Sequence, residues 1–234
     1  TLIAPSGQVT PAGVVPRVRQ MNVVGTFDSG HYEYDSALAL LHQAGADFGM
    51  ERVNVLSVPG WRPLAEQAGP AADTVSAGLA GRVAAEIAVH EANWPEALPR
   101  GVIHADLFPN NVFFLKNRLS GLIDFYFACT DAFAYDLAIC LNSWCFEADA
   151  SFNLTKGQAM LAGYESVRPL TEAEIEALPQ FCRGSALRFL LTRLVDWLNV
   201  PPGALVKPHD PLEYDRKLAF HQRVADARDY GLRR

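Results

Sequence analysis

The sequence predicts an α+β fold, mostly helical, with one short β-hairpin region near its middle. Three observations predict it. Apolar residues recur at helical spacing through much of residues 35–93, and again from residue 171 onward. Between them, Gly101-Val102-Ile103, Val112–Leu115 and Leu119–Ile123 form three short apolar runs, the last two joined by a "KNR" turn. No internal repeat is visible, which argues against a solenoid.

Taken in order, residues 1–34 are rich in Gly, Pro and Ser and read as an irregular leader with at most one short strand. Their apolar stretches, Gly13-Val14-Val15 and Asn22-Val23-Val24, lack the flanks of a firm strand. From Asp35 a helix is predicted, with Ala37, Leu38, Leu41 and Ala44 on one side and Gly45 ending it. Pro59, Gly60 and Pro63 predict a loop. A second helix is predicted over 75–93, aligning Leu79, Val83, Ile87 and His90, and Trp94-Pro95 stops it.

The three strands follow, then an aromatic loop, "DFYFACTDAFAY". Residues 135–147 read as a helix that is apolar nearly all round and therefore buried, with Leu137, Ile139 and Trp144 in its core. Thr171 with Glu174 three residues later is a capping-box signature. "SALRFLLTRLVDWLNV" reads as a long apolar helix stopped by Pro201-Pro202-Gly203, and residues 211–228 as a final, more polar helix. Residues 35–234 thus form one domain behind the leader.

The bulk numbers exclude several classes. Half of the 234 residues are hydrophobic, enough for a sizeable core. A net charge of −6 disfavours nucleic acid as a partner, because phosphate binding wants a basic surface. Cys129, Cys140, Cys145 and Cys182 form no C-x-x-C pair and are expected as reduced, buried thiols of a cytoplasmic protein, not zinc ligands. No apolar run approaches the length of a membrane span, and "TLIAPSGQVT" has no signal-peptide character. Beginning on Thr, the chain is expected to be a fragment or an incomplete reading frame.

The chemistry concentrates in "GVIHADLFPNNVFFL", residues 101–115. Phosphoryl transfer from ATP needs a carboxylate to orient the attacking hydroxyl and oxygen ligands for magnesium. Asp106 is the candidate base. Asn111, five residues on, and Asp124, in "LIDF", are the candidate metal ligands, brought close by the hairpin between them. The order matches the H-x-D-x-x-x-x-N and D-F-G pattern of protein kinases, with Tyr126 in place of the last Gly.

"HADLFPNNV", "GLIDFYFACTDAFAYDLA" and "RFLLTRLVDWLNVPPGA" resemble the aminoglycoside-phosphotransferase-like, protein-kinase-like superfamily, and within it the bacterial homoserine kinase branch. The resemblance runs from about Leu38 to about Gln222 and implies a kinase-like large lobe. It implies ATP and Mg2+ as cofactors and phosphorylation of L-homoserine to O-phospho-L-homoserine, a step of threonine biosynthesis. It also implies Asp106 as catalytic base, Asn111 and Asp124 as magnesium ligands, and His104 and Asp136 as braces of the catalytic loop. Choline-type or aminoglycoside-type substrates are the alternative within the enzyme class. A catalytically dead large lobe acting as a binding module is the alternative outside it. Oligomeric state is left open.

The departure from the family is in the small lobe. Such a lobe needs roughly 80 residues of strands, helix and connections. Only 34 precede the first matching helix; they hold no G-x-G-x-x-G and no lysine, the first being Lys116. Arg17 and Arg19 do not substitute for a phosphate-holding strand Lys. The small lobe is therefore expected to be incomplete or absent, with residues 1–34 an irregular leader or its remnant and residues 35–234 the kinase-like large lobe. The 234-residue form is expected to show negligible homoserine kinase activity and to self-associate through uncovered apolar groups.

Homoserine's ammonium and carboxylate need charged partners. The apolar helix carries Arg188, Arg193 and Asp196, and charge in so apolar a helix requires pairing. Arg193 and Asp196, three apart, suit an ion pair with each other. Tyr126 and Asp131 are rival substrate contacts, and Trp144 and Trp197 read as core.

Overall fold

The structure is a computed structural model, and it describes residues 2–10, 13–19, 33–46, 48–116, 118–201, 204 and 207–233, with side chains from Leu38 onward except at 118. The stretch Asn22–Val24 lies outside the described residues, as do Pro202 and Gly203.

At the start, β1 (Leu2–Thr10) and β2 (Gly13–Arg19) pair antiparallel, with Leu2 opposite Arg19 and Thr10 opposite Gly13. The expected irregular leader with one short strand is corrected here. Val and Thr outweigh the prolines, and Pro5 falls where the register slips, between Ala4 and Gln8.

Helices α1 (Glu33–Ala44), α2 (Val58–Ala68), α3 (Ala72–Val75) and α4 (Leu79–Asn93) come next. Helix α2 occupies the expected Pro59–Pro63 loop. Its start lies beside Pro59, where a missing N–H costs nothing, and Trp61, Leu64, Ala65 and Ala68 form an apolar stripe at helical spacing. Pro63 was a poor guide to a break, because the stripe's burial outweighs one lost hydrogen bond. The helix expected over 75–93 is accordingly shorter, starting at Leu79 after Gly78 in the left-handed region (φ 71°).

Strand β3 (Arg100–Ile103) does not join the hairpin. It pairs antiparallel with β6 (Cys129–Ala132), a strand hidden in the run read as an aromatic loop; Ile103 faces Cys129 and Arg100 faces Ala132. The hairpin is β4 (Val112–Leu115) with β5 (Arg118–Leu122), Val112 opposite Leu122.

Helix α5 (Phe133–Trp144) starts two residues earlier than expected and is buried without interruption from Ala134 to Asn142. It packs against α7 (Glu172–Leu198), one continuous 27-residue helix that carries the capping box at Thr171 and Glu174. Between them, α6 (Leu154–Val167) lies against α1. The final helix, α8 (Leu212–His221), ends earlier than expected, and a 3-10 turn at Ala227–Tyr230 completes the fold. All four cysteines are buried free thiols. Trp197 is exposed, correcting its reading as core, because it sits at the last turn of α7 beyond the packed region. Among the described residues no helix is long and apolar enough to cross a membrane.

Candidate active site

The loop after β3 is built around a carboxylate beneath it. Asp136, in the first turn of α5 and fully buried, accepts the backbone N–H of His104 at Oδ2 (2.8 Å) and that of Ala105 at Oδ1 (2.8 Å). Ala105 has φ 60°, a left-handed value that a non-glycine residue resists, so this pair of bonds holds a bend the chain would otherwise relax. His42 of α1 adds its Nε2 at 3.3 Å from Asp136 Oδ2. Burial alone would raise the Asp136 carboxyl; the hydrogen bonds from His42 and from the His104 N–H bring it below the usual range.

The bend presents Asp106. Its backbone carbonyl accepts Asn111 Nδ2 at 2.8 Å, and the Asn111 carbonyl accepts the N–H of Ile123 at 3.0 Å. His104 Nε2 donates to the Ile123 carbonyl at 2.9 Å, which fixes that proton on Nε2. The segment carrying Asp106 is thus tied twice to the residue before Asp124. Asp124 is exposed, with its backbone also left-handed (φ 62°, ψ 53°). Asp106, Asn111 and Asp124 are brought into one place by these ties.

Burial pushes the Asp106 carboxyl up, and the charges of Asp124 and Asp136 add to that; Arg188 and His104 pull the other way without cancelling it. Asp106 and Asp136 are therefore driven apart in proton affinity by their surroundings, the first upward and the second downward. Arg188, buried in α7, donates to the Ala105 carbonyl at 2.6 Å and stands 4.0 Å from Asp106 Oδ1, with its guanidinium 4.1 Å from the Phe189 ring and 5.3 Å from the Phe127 ring.

The remaining substrate candidates scatter. Tyr126 is exposed beside Asp124. Asp131 accepts from Asn54 Nδ2 (2.7 Å) and from the N–H of Ala132, which ties it to the 48–56 segment. The expected Arg193–Asp196 pair does not form: Arg193 binds Glu213 at 2.6 Å and lies over Tyr214, because α8 offers a carboxylate at closer reach than the next turn of its own helix, and Asp196 stays exposed. Among the described residues none of Asp131, Arg193 and Asp196 forms a hydrogen bond or ion pair with Asp106, Asn111 or Asp124.

Two contributors escaped the sequence reading. His42 was visible only as a polar residue within "LALLHQA". Arg52 donates to the carbonyls of Tyr126 (2.7 Å) and Ala128 (3.2 Å), pinning the turn after Asp124.

The family model described as the APH phosphotransferase enzyme family matches residues 31–170. Curated relatives include a homoserine kinase of Azorhizobium caulinodans, 70% identical over 196 residues, covering 84% of this chain and 61% of that protein. Another, from Methylobacterium radiotolerans, is 61% identical over 221 residues, covering 94% of this chain and 69% of the relative. The chain spans about three fifths of the length of the first of these. Among solved structures, a choline/ethanolamine kinase family protein from Mesorhizobium loti superposes with a TM-score of 0.57 at 18% identity, covering 94% of this chain and 73% of that one. A choline kinase from Cryptosporidium parvum gives 0.58 at 15% identity, covering 82% and 63%. At such identities the structures speak for a shared kinase-like fold alone. With the family model matching well over half of its length, this chain belongs to the APH phosphotransferase enzyme family.

Proposed function

We propose that the chain is the large lobe of an ATP-dependent kinase that phosphorylates the hydroxyl of L-homoserine. The observation that carries the reaction class is the double tie through Asn111 and His104, which holds Asp106 beside Asp124 across two separate strand pairs. The substrate is inferred from the name that relatives at 61–70% identity carry. In this reading Asp106 orients the substrate hydroxyl and takes its proton, and its raised carboxyl pKa suits that task.

The residues present fit magnesium. Asn111 spends its amide nitrogen on the Asp106 carbonyl, which leaves Oδ1 as a hard oxygen donor, and Asp124 adds an exposed carboxylate. Bound there with ATP, the metal would neutralise phosphate charge. Arg188 is buried against the loop, so its part is to hold Ala105 and face Asp106, not to meet substrate. Homoserine and ATP are the partners this reading requires, and the cytoplasm is its setting.

The test is a coupled ADP-release assay on the protein as its gene encodes it, with homoserine, choline, ethanolamine and an aminoglycoside. Turnover with homoserine at roughly 1–100 s⁻¹ supports the reading. Preference for another alcohol, or no ATP consumption with any of them, overturns it.

A further inference from the structure

The support of the catalytic loop does not stop at Asp136 and His42. His42 Nδ1 lies 3.0 Å from the Tyr164 hydroxyl on α6. Arg168, just past the end of α6, donates from Nη1 to the same hydroxyl at 3.1 Å and from Nη2 to Glu174 Oε1 at 2.8 Å. Glu174 in turn closes the capping box of α7, its Oε2 accepting the N–H of Thr171 at 3.0 Å. The Phe133 ring covers the series, 4.5 Å from the His42 ring and 4.7 Å from the Arg168 guanidinium. Gly101 permits that ring: a Cβ there would meet Phe133 Cζ at 2.5 Å.

The direction of every proton follows. A guanidinium only donates, so the Tyr164 oxygen accepts from Arg168. Among the described residues His42 Nδ1 is the one acceptor within reach of the tyrosine's own proton, so we assign that proton to the Tyr164–His42 bond. With Nδ1 accepting, the His42 proton sits on Nε2, aimed at Asp136. His42, Tyr164 and Glu174 are all at most 2% exposed. Packing alone would be served as well by apolar side chains, whereas a buried polar series is costly unless every member is satisfied.

We propose that Tyr164, Arg168 and Glu174 are positioning residues for the loop that carries Asp106, acting by fixing His42 as an Nε2–H donor to Asp136. Without the Tyr164 hydroxyl, His42 is free to carry its proton on Nδ1. Nε2 would then turn a lone pair toward the Asp136 carboxylate, which would loosen its grip on the His104 and Ala105 N–H groups. Only the kinetic consequence rests on the kinase reading above.

The experiment has two arms, both on the protein as its gene encodes it. Nitrogen-15 imidazole spectra read the His42 tautomer, assigned by its loss in His42→Gln. The wild type should show Nε2–H, and Tyr164→Phe, which keeps the ring, should lose that preference. In the ADP-release assay, Tyr164→Phe and Arg168→Met should each lower kcat roughly 3- to 30-fold with KM for homoserine changed less than about twofold. Arg168→Lys, still a donor, should recover part of the loss. A wild-type His42 protonated on Nδ1, an unchanged tautomer in Tyr164→Phe, or wild-type kcat in that variant with only a lower melting temperature overturns the proposal. A wild type inert toward homoserine would instead sink the substrate assignment and leave the tautomer arm to decide.

Discussion

Arg188 stands 4.0 Å from the carboxylate of Asp106 and donates to the carbonyl of Ala105, the residue just before it. One buried cation thus touches both the strained bend and the group the bend presents. Its charge opposes the effect of burial, which otherwise favours a protonated Asp106.

Replacing Arg188 by Met should therefore raise the Asp106 carboxyl further. The acid limb of kcat/KM moves to higher pH, because Asp106, as the proposed base, must be ionised to accept a proton. Orphaning the Ala105 carbonyl should also cost about 1–3 kcal/mol of stability. A pH–rate profile with an unmoved acid limb would contradict the pairing.

Asp106→Asn should lower kcat by roughly 10²–10⁴-fold with little change in KM. Burial first, then Asp124 and Asp136, raise the Asp106 carboxyl above its unfolded value. The folded chain therefore binds that proton more tightly, and stability falls as pH rises through the raised pKa. Asn escapes the penalty, so at neutral pH the variant should melt no lower than the wild type. A near-normal kcat would remove Asp106 from the role of base.

For the metal, Asp124→Asn is the informative change, since Asn tolerates the left-handed backbone at that position (φ 62°). Magnesium-dependent ATP binding, measured by calorimetry, should weaken at least tenfold, about 1.4 kcal/mol. Unaltered magnesium dependence would show that Asp124 is not a ligand.

Glu86 is a structural counterpart. Burial would raise it, but hydrogen bonds from His90, Arg183 and Gln222 and the Arg183 charge bring it down to about 2. A depressed carboxyl stabilises the fold above the ordinary carboxylate pKa and stops doing so as pH falls toward 2. Glu86→Gln should lose about 3–5 kcal/mol at neutral pH by stranding Arg183. Acid-melting curves of the two proteins should converge below about pH 3; parallel curves would rule the linkage out.

A polypeptide of these 234 residues should self-associate. Phe113 and Leu115 on the hairpin, Ile123 and Tyr126 after it, and Met50, Val53 and Val55 on the neighbouring segment are exposed, Val53 by 79%. Exposed apolar groups in such number seek cover. Light scattering should report a mass above the monomer, and a clean monomer would contradict it.

Local signals survived in the sequence and distant ones did not. The capping box at Thr171, the 112–122 hairpin and the uninterrupted burial of α5 depend on neighbours a few residues away, and each was legible. Strand β6 was not, because a four-residue strand within an aromatic run is set by its partner β3 and not by its own pattern. Helix α2 was masked by two prolines whose cost the burial of Trp61 outweighs. Within the site, the order of His104, Asp106, Asn111 and Asp124 was visible, whereas the partnership of His42 with Asp136 spans 94 residues and only the fold creates it. Arg193 chose Glu213 over Asp196 for the same reason.

Helix α7 also works as a ruler. Glu174, Arg183 and Arg188 leave one rod toward three destinations: the Arg168 end of α6, Glu86 on α4, and the Ala105 carbonyl. At 1.5 Å and about 100° per residue, Arg188 sits about 21 Å along from Glu174 and within about 40° of its direction, while Arg183 points nearly opposite. Inserting or deleting one residue between them would swing Arg188 by about 100° away from the loop. Family members should therefore vary in length in the connections at 145–153 and 199–211, and keep the interval from 174 to 188 unchanged.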